Sequence, residues 1–493
     1  MKSYYQYLSL VNVVLISLLG SMTSSRAAEG QPPNIVWIIV DDMSAHFSAY
    51  GETRIKTPHV DRLAREGTLF RKAFVTAPVC SACRSALITG MYQTSIGAHH
   101  HRSGRGTEKI HLPVGVEPIP ARFQRAGYYT AIGGPLAKGD KLAKTDYNFE
   151  WNPGIYAAND WSGRQPGQPF FMQVHLHGGK YREGKNWSET VRVALGTATS
   201  PAVVQLPPYY PDDQVLREDW AQYLDAVRYT DQQVGQVMDR LESEGLLDQT
   251  VVFFTTDHGI SHARGKQFLY DEGIHVPLII RGPGIPSGVI REDLVQQIDL
   301  AATSLALAGI AIPETMQGHD LFQSGDLPRE AVFSARDRCD ETVEHLRSVR
   351  TATYKYIRNG YPHRPHLQPN AYKDGKPIVQ RLRELQSQLQ LNPLQEQILF
   401  AQSRPEEELY DLQVDPHEIQ NLAEEPAHQA TLLEMRKRLD RWMIETNDQG
   451  RHPESLARYD SDMQVYLDSK NTQLNAILQQ NIAQMKQWAA EGK

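Results

Sequence analysis

The chain has 493 residues, 40% of them hydrophobic and 22% charged, a balance that excludes both a membrane bundle and a disordered tail. A length of 493 is too great for one small core and points to two to four domains, or to one large α/β domain with an appendage. A net charge of −7 excludes a global nucleic-acid footprint, and three cysteines exclude a disulfide framework, so an anionic ligand must be met by a local basic pocket.

At the N-terminus Lys2 precedes an apolar run over 8–19 and a small-residue stretch ending at Ala27-Ala28. This is the pattern of a signal peptide over 1–28, and it predicts a secreted or periplasmic protein with no membrane span in the mature chain. Residues 34–40 form a continuous apolar run closing on Asp41-Asp42. Such a run reads as a buried parallel strand, and its carboxyl end is where α/β sheets place their ligands. Residues 57–66 read as a helix, with Pro58 at its start, Val60 and Leu63 on one face and Gly67 as its stop.

The stretch 77–90 places Cys80 at a helix N-terminus, where free N–H groups and the macrodipole favour an anion, and Arg84 one turn on. By itself the Cys80-x-x-Cys83 pair admits a redox couple, half a zinc site or an anion pocket; Cys339 does not complete a zinc site. Residues 97–106, with His99, His100, His101, Arg102 and Arg105 among glycines, read as a flexible polar loop: a solvated loop, a metal-binding tract, or a rim facing a sulfate or a sugar.

A short helix over 120–126 and a strand over 128–132 lead to a segment, 133–142, that looks inserted before residues 143–149. A buried strand over 169–176 ends on His177-Gly178-Gly179-Lys180, and a long helical period covers 219–244. Residues 251–256 repeat the opening pattern, an apolar strand ending in Asp257-His258. Two strands that deliver Asp41-Asp42 and Asp257-His258 to one sheet edge concentrate charge that a cation must neutralise. Carboxylate oxygens favour calcium or magnesium there, and the imidazole admits zinc or manganese. Residues 261–273 form a loop bearing His262, Arg264 and Lys266, followed by a strand over 276–280 and a helix over 299–309. Beyond about 341 the pattern shifts to an antiparallel strand over 350–358, helical segments over 378–389, a strand over 408–412 and amphipathic helices. The organisation expected is a signal peptide (1–28), a catalytic domain (29–340) and a smaller α+β subdomain (341–493).

Taken together, Val40-Asp41-Asp42, the Cys80-to-Gly90 signature, the Pro169-Phe170-Phe171 strand, Asp257-His258-Gly259, Gly265-Lys266, Tyr270-Asp271-Glu272-Gly273 and Leu409-Tyr410-Asp411-Leu412 resemble the type I sulfatases of the alkaline-phosphatase-like superfamily. The resemblance implies an α/β fold with a mixed sheet sandwiched by helices and the smaller C-terminal α+β subdomain. It implies that Cys80 is oxidised by a maturation enzyme to formylglycine, whose hydrated aldehyde is the nucleophile. It also implies one calcium ion, held by Asp41, Asp42, Asp257, His258 and the hydroxyl at position 80. Arg84, Lys144, Lys180 and Lys266 then hold the sulfate oxygens, His262 or one of the lysines protonates the leaving alcohol, and His101 and Arg102 bind substrate at the rim.

The chain departs from the family pattern at four places. Ala82 and Cys83 replace the usual Pro and Ser of the signature, His258 stands where many members carry Asn, Lys144-Thr145-Asp146 replaces a Gly-Lys-x-His motif, and Lys180 takes a sulfate-facing His position. The activity expected is hydrolysis of sulfate esters, or sulfamates, on a carbohydrate. A phosphonate or phosphodiester hydrolase of the same superfamily is the second reading, and a non-enzymatic sulfated-glycan binder with unmodified Cys80 the third.

Overall fold

In the computed structural model, which describes residues 31–134, 140–325, 328–469 and 472–493, seven strands form one mixed sheet in the order β3-β4-β1-β5-β6-β2-β7. They are β1 (Asn34–Val40), β2 (Thr68–Phe74), β3 (Tyr129–Gly133), β4 (Phe170–Leu176), β5 (Thr250–Thr256), β6 (His275–Arg281) and β7 (Val289–Gln296). The central strands β1 and β5 are buried at every residue, as their unbroken apolar runs require. β3, β4, β1 and β5 are parallel neighbours, so their carboxyl ends share one edge. β6 runs antiparallel to both β5 and β2, which returns β2 to the direction of β5.

Helices cover both faces. α1 (Pro58–Glu66) packs against α5 (Gln214–Ser243), while α2 (Cys80–Thr89), α3 (Ile119–Arg125) and the helix Asp299–Leu307 pack together. The core is pinned by aromatic residues of the sheet: Trp37 of β1 lies edge-on to Phe171 at 5.3 Å and donates its indole N–H to Ser304 Oγ at 2.9 Å. A side chain of this size contributes roughly 1.5–3 kcal/mol on burial, so β1 is anchored close to the charged residues that follow it. α4 (Trp187–Leu195) lies between β4 and α5 in the chain.

A second sheet of four antiparallel strands follows in the order β11-β10-β9-β8: β8 (Val332–Arg336), β9 (Leu346–Arg350), β10 (Tyr354–Asn359) and β11 (Glu407–Asp411). Ala335, Val349, Tyr356 and Leu409 of these strands pack on Leu432, Met435, Leu439 and Trp442 of the helix Gln429–Glu445. The fold expected from the sequence, a mixed α/β sheet between helices with a smaller C-terminal antiparallel sheet, is the fold observed.

Several details differ. The second sheet begins at Val332, ahead of the boundary placed at 340, and Pro33 to Lys493 form one compact unit. The single strand expected over 350–358 is a hairpin, β9 and β10, turning at Thr351, whose N–H donates to the Tyr354 carbonyl. α5 starts at Gln214 instead of 219 because the Asp213 side chain caps it, accepting from the Val215 N–H at 2.9 Å. β2 and β7 escape the sequence pattern: Arg71-Lys72 interrupts the first, and the second is an edge strand whose first five residues are not buried. Residues 1–28 and 135–139, which include the expected leader and part of the inserted segment, lie outside the described residues. Among the described residues no helix is long and apolar enough to cross a membrane.

Candidate active site

β1 ends in Asp41-Asp42, and Asp42 adopts φ 53°, a left-handed conformation that a non-glycine residue takes at a cost of roughly 1–3 kcal/mol. Its neighbours hold it there: the Asp42 N–H donates to Asp257 Oδ1 at 3.1 Å, and the chain leaving β4 presses on the same turn. Gly178 and Gly179 permit that approach, since a Cβ at Gly178 would lie 2.2 Å from the Asp41 carbonyl oxygen and one at Gly179 would lie 2.3 Å from that of Asp42. The Gly179 N–H donates to the Asp41 carbonyl at 2.9 Å, and the next residue is Lys180. The two glycines thus deliver a lysine to the acidic strand end.

Cys80 opens α2 and is buried within a helix whose ten residues are all buried. Its Sγ lies 3.2 Å from His258 Nε2, 3.4 Å from Lys266 Nζ, 3.7 Å from Lys180 Nζ and 3.8 Å from Asp42 Oδ1. Burial raises the thiol pKa, but Lys144, Lys180 and Lys266 outweigh it and bring the group down to about 7. Cys83 faces the opposite way, donating to Gln297 Oε1 at 2.7 Å, and burial pushes its thiol well up. Both thiols are free, and the redox-couple reading of the pair has no support in this geometry.

The three carboxylates divide the cations among them. Asp41 meets Arg84 Nη2 and Lys180 Nζ at 2.5 Å each, Lys144 Nζ at 3.1 Å and His175 Nε2 at 3.3 Å. Asp42 meets Lys266 Nζ at 3.2 Å, Lys180 Nζ at 3.4 Å and His258 Nε2 at 3.3 Å, and it accepts from the Tyr372 hydroxyl at 3.1 Å. Asp257 meets Arg84 Nε at 3.2 Å. Burial alone would raise the Asp41 and Asp42 carboxyls; Lys180, with Lys144 and Arg84 at Asp41 and Lys266 at Asp42, holds both well below the usual range. Burial opposes the charge of His258, yet Asp257, Cys80 and Asp42 raise its pKa.

The ligand atoms of Asp42, Cys80, Asp257 and His258 all lie within 4.8 Å of one another. His258 Nδ1 lies 2.9 Å from the Gly259 carbonyl, which fixes the proton on Nδ1 and leaves the Nε2 lone pair turned toward the cluster. Two carboxylates, an imidazole so oriented and the side chain at position 80 form a donor set that fits a divalent cation. Asp41, the remaining expected ligand, flanks this group, its oxygens occupied by Arg84, Lys180, Lys144 and His175.

The structure brings Cys80, Arg84, Lys144, Lys180, Lys266, Asp41, Asp42, Asp257 and His258 together at the sheet edge. It does not bring His262 to Cys80. The His262 ring is buried, its Nε2 lies 2.6 Å from Asp219 Oδ2, and burial lowers its pKa to about 4, so it is neutral near neutral pH and unsuited to the acid role expected of it. The 97–106 segment is also not the flexible loop expected. His99, His100, His101 and Ser103 are buried, and Asn148 Nδ2 ties the Ala98 and His100 carbonyls at 2.9 and 2.7 Å. Its polar side chains find partners far away in sequence, which composition does not reveal. His101 Nδ1 lies 2.7 Å from Ser81 Oγ, next to Cys80, and Arg102 Nη1 lies 3.6 Å from Asp340 Oδ1.

Three residues of the site carry no sequence signal strong enough to single them out. His175 sits inside an apolar strand, Asp146 pairs with Arg105 at 2.5 Å, and Tyr372 comes from the short helix Ala371–Asp374. The one local clue to Tyr372 is the Asn370 cap, whose side chain accepts from the Lys373 N–H.

Comparison with known proteins agrees with this arrangement. The family profile Sulfatase matches residues 33–310, and the profile described as N-sulphoglucosamine sulphohydrolase, C-terminal, matches 258–364. An ulvan-active sulfatase of Formosa agariphila is 33% identical over 467 residues, covering 86% of this chain and 76% of that enzyme. The N-sulphoglucosamine sulphohydrolase of Homo sapiens is 28% identical over 475 residues, covering 85% and 91%. Among solved structures, one protein held with its substrate D-glucosamine-2-N,6-O-disulfate superposes with a TM-score of 0.58 at 18% identity, covering 85% of this chain and 99% of that one, a likeness of fold alone.

Proposed function

The chain belongs to the sulfatase family of the alkaline-phosphatase-like superfamily, the sulfuric ester hydrolases, and from that premise we propose that it removes sulfate from a sulfated carbohydrate after export and loss of residues 1–28. The observation that carries this reading is the convergence of Lys180, Lys266 and His258 on the Sγ of Cys80, at the N-terminus of a buried helix. Cations gathered at a buried helix N-terminus suit a tetrahedral oxyanion over a reactive atom.

Cys80 is converted by a maturation enzyme to formylglycine, which supplies a hydrated aldehyde as nucleophile; a plain thiol lacks the second hydroxyl needed to release sulfate. Asp42, Asp257 and His258, with the side chain at position 80, would hold one calcium ion, flanked by Asp41, and the ion would supply charge neutralisation there. The remaining work belongs to this chain's own residues. Arg84 is fixed by Asp41 and Asp257, so its guanidinium stays oriented under the sulfate without reorganising. Lys266 and Lys180 bind sulfate oxygens above position 80, and Lys144, a quarter exposed, does so from the mouth. Lys180, reaching Asp41 and Cys80 from the half-open side, holds at Nζ the proton that the leaving alkoxide takes. Arg102, whose side chain is exposed, lines the rim where the sugar enters, while His101 is buried against Ser81.

The names of the two relatives favour a polysaccharide or an N-sulfated amino sugar over a simple aryl ester. The test is to co-produce the chain with a formylglycine-generating enzyme, to follow the Cys80 peptide by mass spectrometry, and to assay 4-nitrophenyl sulfate, a phenylphosphonate monoester and defined sulfated saccharides. Conversion of Cys80 and preferential release of sulfate from saccharides are expected. A clear preference for the phosphorus ester, or a retained thiol in active protein, would overturn the proposal.

A further inference from the structure

On the far side of Tyr372 from the acidic centre lies a cavity of about 440 Å³, lined among others by Arg182, Glu183, Asp219, Gln222, Tyr372 and Lys376. That size is within the roughly 300–1,000 Å³ of sites that enclose a small ligand. Tyr372 forms its wall toward the active site: its hydroxyl lies 3.1 Å from Asp42 Oδ2 and 3.5 Å from Glu183 Oε1. Lys266 and Lys376 flank its ring at 4.7 and 4.2 Å. One aromatic side chain therefore touches both the acidic centre and the cavity.

The polar lining is arranged in cation–carboxylate pairs. Lys376 Nζ bonds Glu183, and Arg182 Nη2 lies 3.9 Å from Asp219 Oδ2. Asp219 is in turn held by His262, the histidine that does not reach Cys80. The Arg182 side chain is 4% exposed, and its Nη1 is buried without a hydrogen-bond partner among the described residues. With Glu218 the lining carries three carboxylates and two cations, so a further anion entering here meets a net negative wall. Neighbouring sugar hydroxyls suit it, because each hydroxyl donates to a carboxylate while accepting from the paired cation.

We propose that this cavity is the specificity pocket for the sugar leaving group and that it reads vicinal hydroxyls of an uncharged saccharide ring through the Arg182–Asp219 and Glu183–Lys376 pairs. It rests on the sulfatase reading above and adds the substrate class: a saccharide whose sulfate is not accompanied, within this cavity, by a carboxylate or a second sulfate. His262 is then a positioning residue, acting through Asp219.

The experiment compares matured wild type with Asp219→Asn and Glu183→Gln on a monosulfated neutral oligosaccharide, on the same saccharide carrying a uronate, and on 4-nitrophenyl sulfate, which has no hydroxyls. Each variant is expected to lower the ratio of kcat/KM for the neutral saccharide over 4-nitrophenyl sulfate at least tenfold, mainly through KM. Wild type is expected to favour the neutral over the uronate-bearing saccharide. Glu183, at the rim, guards against a folding failure of the buried Asp219 variant, and melting curves check both. An unchanged ratio in a folded variant, a loss confined to kcat, or a wild-type preference for the uronate overturns the pocket assignment while leaving the sulfatase reading intact. Matured wild type that releases sulfate from none of the three overturns both.

Discussion

Replacing Lys180 by Met keeps the length of the side chain and removes its charge. In the structure Nζ lies 2.5 Å from Asp41, 3.4 Å from Asp42 and 3.7 Å from Cys80 Sγ, so the lost cation acts on both the carboxylates and the reacting position. Loss of one preorganised group that stabilises transition-state charge costs about 10²–10³ in kcat, or about 2.7–4 kcal/mol. Stability responds differently. Breaking a buried ion pair typically costs about 3–5 kcal/mol because the partner is left uncompensated. Here Asp41 keeps Arg84 at 2.5 Å and Lys144 at 3.1 Å, and repulsion among the clustered cations is relieved. Lys180→Met is therefore expected to lose at least 100-fold in kcat on 4-nitrophenyl sulfate while its unfolding free energy falls by well under that 3–5 kcal/mol. The assay pairs initial rates, normalised to the converted fraction of Cys80, with urea unfolding. A loss of less than tenfold, or a stability loss matching the rate loss, would refute the placement of Lys180 over the sulfate.

Arg84→Leu should behave in the opposite way. It strips a guanidinium from both Asp41 and Asp257, two buried carboxylates, and is expected to cost about 3–5 kcal/mol of stability as well as turnover, read as a fall in melting temperature. Acid should weaken the fold through His46 and His262, both held by burial at about 4 against an ordinary 6.5. The unfolded imidazoles bind protons more readily than the folded ones, so stability is full above about 6.5 and is lost as pH falls toward 4, by up to about 3 kcal/mol per group. Urea midpoints at neutral and mildly acid pH measure this, and His262→Gln should shrink the drop. Added calcium should raise the melting temperature, by the equivalent of about 2.7 kcal/mol at 100 times its dissociation constant. Asp257→Asn should abolish that rise, and calorimetry with the chelated protein checks it.

How much of this could be read from the chain depends on the range of the interaction concerned. Buried strands announce themselves, because 35–40 and 251–254 are unbroken apolar runs, and the charged residues that follow at Asp41-Asp42 and Asp257-His258 stand out against that background. Lys144 and Lys180, which the family resemblance assigns to the sulfate oxygens, both reach Asp41. Edge strand β7 carries no such contrast, since an edge need not be apolar on either face.

The amino-acid sequence by itself determined the α/β architecture, the helix start at Cys80 and the acidic strand ends, because each rests on local periodicity or on a short run of neighbours, whereas the lysines are assigned only through the resemblance to the sulfatases. Only the tertiary structure decided which partner each charge takes. It turned His262 toward Asp219 and Cys83 toward Gln297, buried the histidines of 99–101, and brought Tyr372 from the C-terminal half against Asp42. Those pairings join residues 43, 214 and 330 positions apart. Hydrogen bonds and ion pairs of that kind are fixed by where the packed sheet and helices place the side chains, and no local pattern encodes them.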